Sequence, residues 1–183
     1  IDNLRIHDNV FERVMTAFSG EGRRETGPRY IYRNVFDLRE PVPGWRPGIQ
    51  ASVWRHGTLF KGDFSAGPLY FYHNTVLLNR PGDQIALALF RSLERSGTPI
   101  HARWFVGNVV SVNTDAHDQS LAFIPQDDYL LARRPDGSPL LNSDGNLWVR
   151  PSSARAPLFK CMTASSTKCA TRSWSKLSDL VSS

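Results

Sequence analysis

The chain has 183 residues, 40% hydrophobic and 21% charged, which excludes a disordered polymer and is enough for one domain with its own core. Formal net charge is +5, and Lys61, Lys160, Lys168 and Lys176 are the only lysines, so the positive charge is mostly Arg. The arginines are spread along the chain and form no cluster of the kind nucleic acid selects, and no apolar run reaches the roughly 18 residues of a membrane helix. Arginine's planar fork of donors matches a carboxylate, so an anionic partner such as a uronate polymer is one reading and a plainly basic surface the other.

No leader segment opens the chain. It starts at Ile1 without a Met and reads as a processed or partial chain, so the missing leader says little about export.

In chain order, the first element is Leu4-Arg-Ile-His-Asp-Asn9-Val-Phe11, an alternating run centred on an Asn. A short apolar run, Val14 to Phe18, follows it. After a turn-rich stretch from Gly20 to Pro28, the pattern returns as Arg29-Tyr-Ile-Tyr-Arg-Asn34-Val-Phe36. A second such stretch, Pro41 to Gly57, leads to the run Thr58 to Lys61 and then to Leu69-Tyr-Phe-Tyr-His-Asn74-Thr-Val76. Ile85 to Phe90 is another short run. Asp83 and Gly97 would cap a helix across it, but its alternation with Ala86 and Ala88 favours a strand. Past the loop from Arg91 to Pro99 comes Arg103-Trp-Phe-Val-Gly-Asn108-Val-Val110. The asparagines are 25, 40 and 34 residues apart.

Three before each Asn stands Ile6, Ile31, Phe71 or Phe105; two after it, Phe11, Phe36, Val76 or Val110. Alternate residues of a strand point to opposite faces, so these form inward rows. Asn tolerates left-handed backbone and is expected at the bend between two strands. Strands stacked about 4.8 Å apart bring such amides within bonding reach of one another. Unequal intervals fit stacked repeats, which tolerate insertions where a loop leaves the stack. The short runs upstream read as a first strand for each repeat.

Regularity fades after Asn113. Tyr129 to Ala132, Pro135-Asp-Gly-Ser and Leu140-Leu141 read as a hairpin turning at Asp136-Gly137. Cys161 and Cys169 flank a Thr/Ser-rich loop; they close a small disulfide in an oxidising compartment or stay as buried thiols. Without a nearby His they are too few for zinc. Trp174, Leu177, Leu180 and Val181 are spaced as on a short amphipathic helix. The division is then 1–113 for the repeats and 114–183 for an irregular extension of the same domain.

The Asn-centred segments resemble the parallel β-helix repeat family of pectate-lyase-like folds. Phe60-Lys61 followed by Gly67-Pro-Leu-Tyr-Phe-Tyr-His-Asn-Thr-Val76 looks most like one coil. Asp136-Gly-Ser-Pro139 and Ser173-Trp-Ser-Lys-Leu-Ser-Asp-Leu180 look like segments near the end of bacterial proteins with this repeat, where another coil usually follows, and this too suggests a fragment. The resemblance implies an all-β chain: a right-handed parallel β-helix solenoid of about four coils with long loop insertions, a C-terminal hairpin and a short helix. It also implies export, to an extracellular or periplasmic setting. Family activities include polysaccharide lyases, glycoside hydrolases, uronate epimerases and non-catalytic adhesins, so the fold alone does not select one.

The outward rows are candidate chemistry. Four before each Asn stand Arg5, Tyr30, Tyr70 and Trp104; two before stand His7, Tyr32, Tyr72 and Val106. With Arg29, Arg33 and Arg103 beside them they would form a substrate stripe, ring faces for sugar and guanidinium for carboxylate, unless loops cover it. Lyases of this fold need a base and a group that neutralises the uronate carboxylate, often Arg or Ca²⁺. Lys61 is the leading base candidate, His73 and His7 follow, and Arg33 and Arg103 would hold carboxylate. The plainer readings are a solvated strand lysine and structural histidines. No metal-ligand set is assigned, and Ca²⁺ is left open. Asp115-Ala-His-Asp118 is similar to the Asp-Pro-His-Asp motif of uronate C5-epimerases, but it has Ala116 in place of Pro and lacks that family's downstream repeats, and the reading as a plain turn after a strand is preferred. Asp127-Asp128 is a weak Ca²⁺ signal, because adjacent strand residues point apart. Glu12 and Asp37 share a column and are the carboxylate pair a glycosidase would need. The leading expectation is a lyase acting on acidic polysaccharide; the alternatives are a non-catalytic glycan-binding or assembly scaffold, and an epimerase or hydrolase.

Overall fold

The computed structural model describes residues 3–14, 16–19, 27–39, 58–61, 67–78, 102–112, 122–124, 136–138, 141–149, 159–161 and 173–174. Among these residues the regular structure is all strand. In chain order the strands are β1 (Leu4–His7), β2 (Val10–Glu12), β3 (Thr16–Ser19), β4 (Arg29–Tyr32), β5 (Val35–Leu38), β6 (Thr58–Lys61), β7 (Leu69–Tyr72) and β8 (Thr75–Leu78). They continue with β9 (Arg103–Val106), β10 (Val109–Val112), β11 (Ala122–Ile124), β12 (Leu141–Asp144), β13 (Leu147–Val149), β14 (Phe159–Cys161) and β15 (Ser173–Trp174).

Two five-stranded sheets carry the architecture, ordered β1-β4-β7-β9-β12 and β2-β5-β8-β10-β13, and every pairing in them is parallel. Each strand of the first sheet is followed, two residues later, by one of the second. The strands are rich in the aromatic and β-branched residues that suit a pleated, half-buried surface. Burial alternates along them as the pleat requires: Ile31, Phe36, Leu38, Phe71, Val76 and Val110 have no exposed surface. Burying a side chain of this size contributes about 1.5–3 kcal/mol.

Parallel register turns sequence columns into spatial ones. Ile6, Ile31, Phe71 and Phe105 follow one another across the first sheet, and Phe11, Phe36, Val76, Val110 and Trp148 across the second. Within them Phe71 and Phe105 stack at 5.1 Å, and Phe11 and Phe36 at 4.8 Å. A separate parallel pair, β3 and β6, adds Phe18, whose ring meets Phe11 and Phe36 edge-on at 5.7 and 5.5 Å. Both upstream runs are therefore strands, as their patterns suggest; the third, Ile85 to Phe90, lies outside the described residues.

The asparagines sit at the corner between the two sheets. Asn9 donates from its backbone N–H and its Nδ2 to Asn34 Oδ1, at 3.1 and 3.0 Å. Asn34 donates to Asn74 Oδ1 in the same way, at 3.0 Å for both bonds, and Asn74 to Asn108 Oδ1, at 2.9 and 3.2 Å. Asn108 continues the line to Asn146 Oδ1, at 2.9 Å for both. Each Nδ2 of Asn34, Asn74, Asn108 and Asn146 also donates to a main-chain carbonyl of the preceding strand pair, that of Ile6, Ile31, Phe71 or Phe105. Buried polar atoms need such partners, and here the amides supply them to one another.

Three details differ from the sequence expectation. The left-handed residue at the corner is not the Asn but the one before it: φ is 57° at Asp8, 54° at Arg33 and at His73, 63° at Gly107 and 61° at Gly145. The Asn is required for its side-chain bonds, and its neighbour makes the bend. Leu141–Asp144 pairs in parallel with β9, so Asn146 is a fifth corner residue beyond the point where the regularity was expected to end. The expected first arm, Tyr129 to Ala132, lies outside the described residues. Finally, no helix occurs among the described residues: Trp174 lies in β15, antiparallel to β14, and the rest of its segment is outside them.

Candidate aromatic and arginine face

The exposed side of the first sheet carries two columns. In one, Arg5, Tyr30, Tyr70, Trp104 and Asn142 are in register; in the other, His7, Tyr32, Tyr72, Val106 and Asp144. Parallel pairing forces this, because residues of equal distance from successive asparagines must lie above one another. The rings stack: Tyr30 on Tyr70 at 4.9 Å, Tyr70 on Trp104 at 4.3 Å, His7 on Tyr32 at 4.7 Å and Tyr32 on Tyr72 at 5.0 Å. Interplanar angles are 9–13°.

Such stacking has a chemical consequence. The ring faces are turned toward one another, so the sheet offers solvent mainly ring edges and tyrosine hydroxyls. The sequence pattern suggested open faces for a sugar ring; the columns instead present donors and acceptors. Partial burial, with neighbouring Tyr32 adding to it, raises the Tyr72 pKa above its ordinary value.

Two arginines edge the rings. The Arg5 guanidinium lies 5.5 Å from the Tyr30 centroid and that of Arg33 lies 5.3 Å from the Tyr32 centroid. Arg33 also pairs with Asp8 one repeat away, and Asp8 Oδ2 bonds His7 Nδ1 at 2.7 Å. The hydrogen bond from Arg33, then that from His7, lowers the Asp8 pKa, and the same pair raises that of Arg33. Asp8 was not singled out from the sequence. The signal was there: Asp8 and Arg33 are opposite charges in the same position of successive repeats.

Arg29 and Arg103 are placed differently from the expectation. They are 1% and 3% exposed, in a column with Leu4, Leu69 and Leu141 on the inward side. Arg103 Nη1 donates to the carbonyl of Gly67 at 2.6 Å. Neither is available to a polymer outside. The residues proposed for elimination are not gathered by the described contacts. Lys61 ends β6, in register with Ser19 of the two-stranded sheet, while Arg33 and His73 occupy corners of the five-stranded pair.

The carboxylate pair is brought together, since Glu12 and Asp37 are in register. However, Arg39 chelates Asp37 through Nε and Nη2 at 2.8 and 2.6 Å and holds its pKa below the ordinary value. That shift is opposite to the one a glycosidase acid needs and leaves Asp37 only the part of the ionised partner. Among the described residues no group of His, Cys, Asp and Glu is placed to hold a metal ion, and no helix is long and apolar enough to cross a membrane. Asp115, His117, Asp118, Asp127, Asp128 and Cys169 lie outside the described residues.

Comparisons with protein-family models, with curated proteins and with solved structures gave no match.

Proposed function

We propose that this chain is a stretch of a right-handed parallel β-helix of the pectate-lyase-like kind that binds acidic polysaccharide along its aromatic and arginine face. The parallel order of both large sheets, the third strand pair β3–β6 and the bonded asparagines support the solenoid. Right-handed crossovers are the rule for parallel strands. The single observation that carries the binding reading is the pair of columns Tyr30–Tyr70–Trp104 and His7–Tyr32–Tyr72, edged by Arg5 and Arg33. Phenol hydroxyls and guanidinium donors repeated at the strand spacing fit a chain of hydroxyls and carboxylates. An extracellular or periplasmic setting belongs to the same proposal.

Binding without elimination is preferred because Arg33 is tied to Asp8 and Arg103 is inside. One experiment separates the two. Binding to pectate, alginate and glycosaminoglycans is measured for wild type, Tyr32→Ala, Arg5→Ala and Lys61→Ala, alongside absorbance of unsaturated uronate. Binding weakened in Tyr32→Ala and Arg5→Ala with no absorbance supports the binder. Absorbance that disappears in Lys61→Ala replaces it with the lyase, and no binding to any polymer removes both.

A further inference from the structure

We propose that the outer face carries a site of oxidative modification, at which tyrosines of successive repeats, Tyr32 with Tyr72 and Tyr30 with Tyr70, are joined as dityrosine. The co-reactant is a peroxide activated by a peroxidase, supplied from outside the chain. Four of the chain's five tyrosines stand in these two pairs. The coupling requires only strand register and ring contact, whatever else the face binds.

Register sets each pair. Tyr32 and Tyr72 are directly paired residues of β4 and β7, as are Tyr30 and Tyr70. Their ring centroids lie 5.0 and 4.9 Å apart, at interplanar angles of 9° and 12°. Each ring is therefore nearly a translated copy of its partner, with the hydroxyls side by side. All four residues are half-buried, so each keeps surface that an oxidant can reach. The parallel pairing of β4 with β7 holds the rings of a pair together, and groups held in this way react as if at very high concentration.

The chemistry is radical coupling. The activated peroxide takes one electron from each phenol, and the O–H proton passes to water. Each phenoxyl radical carries spin on the ring carbons beside its oxygen, Cε1 and Cε2. Both rings turn about their Cβ–Cγ bonds until their edges meet, and a Cε of one bonds to a Cε of the other. Each bonded Cε then loses its hydrogen as a proton while its oxygen takes one back, which restores the phenol. In sum, two tyrosines and one hydrogen peroxide give one dityrosine and two waters. The new bond lies meta to Cγ in both rings, so the strands keep their spacing. The link closes the 40 residues of chain between equivalent positions of the two repeats and so constrains the unfolded state.

The test is oxidation by hydrogen peroxide and a haem peroxidase in dilute solution, read by dityrosine fluorescence and by mapping of cross-linked peptides. Three double variants remove the same number of phenols. Tyr30→Phe/Tyr70→Phe and Tyr32→Phe/Tyr72→Phe each preserve one pair, whereas Tyr32→Phe/Tyr70→Phe breaks both. Phe retains every ring, so the stacks stay in place. Wild type is expected to form dityrosine within one chain, linking Tyr30 to Tyr70 or Tyr32 to Tyr72, and at least one pair-keeping variant to do the same. Tyr32→Phe/Tyr70→Phe is expected to couple about tenfold or more slowly, because Tyr30 and Tyr72 are not register partners. Dityrosine that forms only between chains, links that map to Tyr129 instead, or equal rates in pair-keeping and pair-breaking variants overturn the proposal. So does a wild type without dityrosine under conditions that couple free tyrosine. Mapping on wild type decides the matter even where a variant fails to fold.

Discussion

The imidazole of His73 lies against Gly107 one repeat along: a Cβ on that glycine would fall 2.7 Å from His73 Cδ2. Gly107 also has φ +63°, where an L-residue is strained. Gly107→Ala is therefore expected to destabilise the chain by about 1–2 kcal/mol from the backbone alone, plus the cost of moving the ring. In urea unfolding, adding His73→Ala should recover the second part and leave the first. Complete recovery would mean that the backbone term is negligible.

The asparagine column predicts a gradient of sensitivity. Asn74 is 1% exposed, accepts two bonds from Asn34 and donates to Ile31, Tyr72 and Asn108. Asn74→Ala strands several of these groups, each costing about 1–3 kcal/mol when buried, so it should prevent stable folding or come close to it. Asn9→Ala, at the exposed end, should cost about 1 kcal/mol. Asn74→Asp is not a rescue, because it removes the Nδ2 donors and buries a carboxyl group. Its penalty should grow as pH rises and that carboxyl ionises. Equal melting temperatures for Asn9→Ala and Asn74→Ala would contradict the gradient.

Asp8 gives a pH prediction. Its folded pKa is below the ordinary 3.8, first through Arg33 and then through His7. A carboxylate shifted downward stabilises the fold at pH values above its unfolded pKa, and that contribution is lost as pH falls through the folded value. The loss therefore lies below 3.8, in the acid limb. Carboxyl resonances followed by NMR should show Asp8 titrating low in wild type and moving up in Arg33→Ala. Because the groups are exposed, the stability change should be small and salt-sensitive.

If polyanion binding uses the outer face, Arg5→Ala and Arg33→Ala should each weaken it about three- to tenfold, and added salt should shrink the difference. Arg103→Leu should leave affinity unchanged, since Arg103 is buried beneath the sheet and leucines occupy its column at Leu69 and Leu141. An Arg103→Leu protein that folds and loses binding would place that guanidinium on the surface after all.

Much of the layout could be read from the sequence because each interior column is chemically uniform. Ile6, Ile31, Phe71 and Phe105 advertise their position by size alone. The fifth repeat was hidden because Ser143 and Asn142 replace the apolar and aromatic members of its first strand. A subtler signal would have found it: Gly145-Asn146-Leu-Trp-Val149 repeats the Gly107-Asn108-Val-Val-Ser111 pattern. Arg29 and Arg103 depart from the sequence expectation for a different reason. Their parity with Ile31 and Phe105 points inward whereas charge normally argues for solvent, and in this fold the parity decides. The stacking of ring faces was not legible at all, since a column of tyrosines does not state which way the rings turn.

Successive corner asparagines are separated by 25, 40, 34 and 38 residues, yet the strand pairing on either side of each corner never slips. Each amide works as an index mark: whatever path the chain has taken since the last corner, two bonds to one oxygen bring it back into phase. Sequence between marks is thereby freed from metrical constraint, and this scaffold can lengthen or exchange its excursions without disturbing the alignment of the residues stacked on its face.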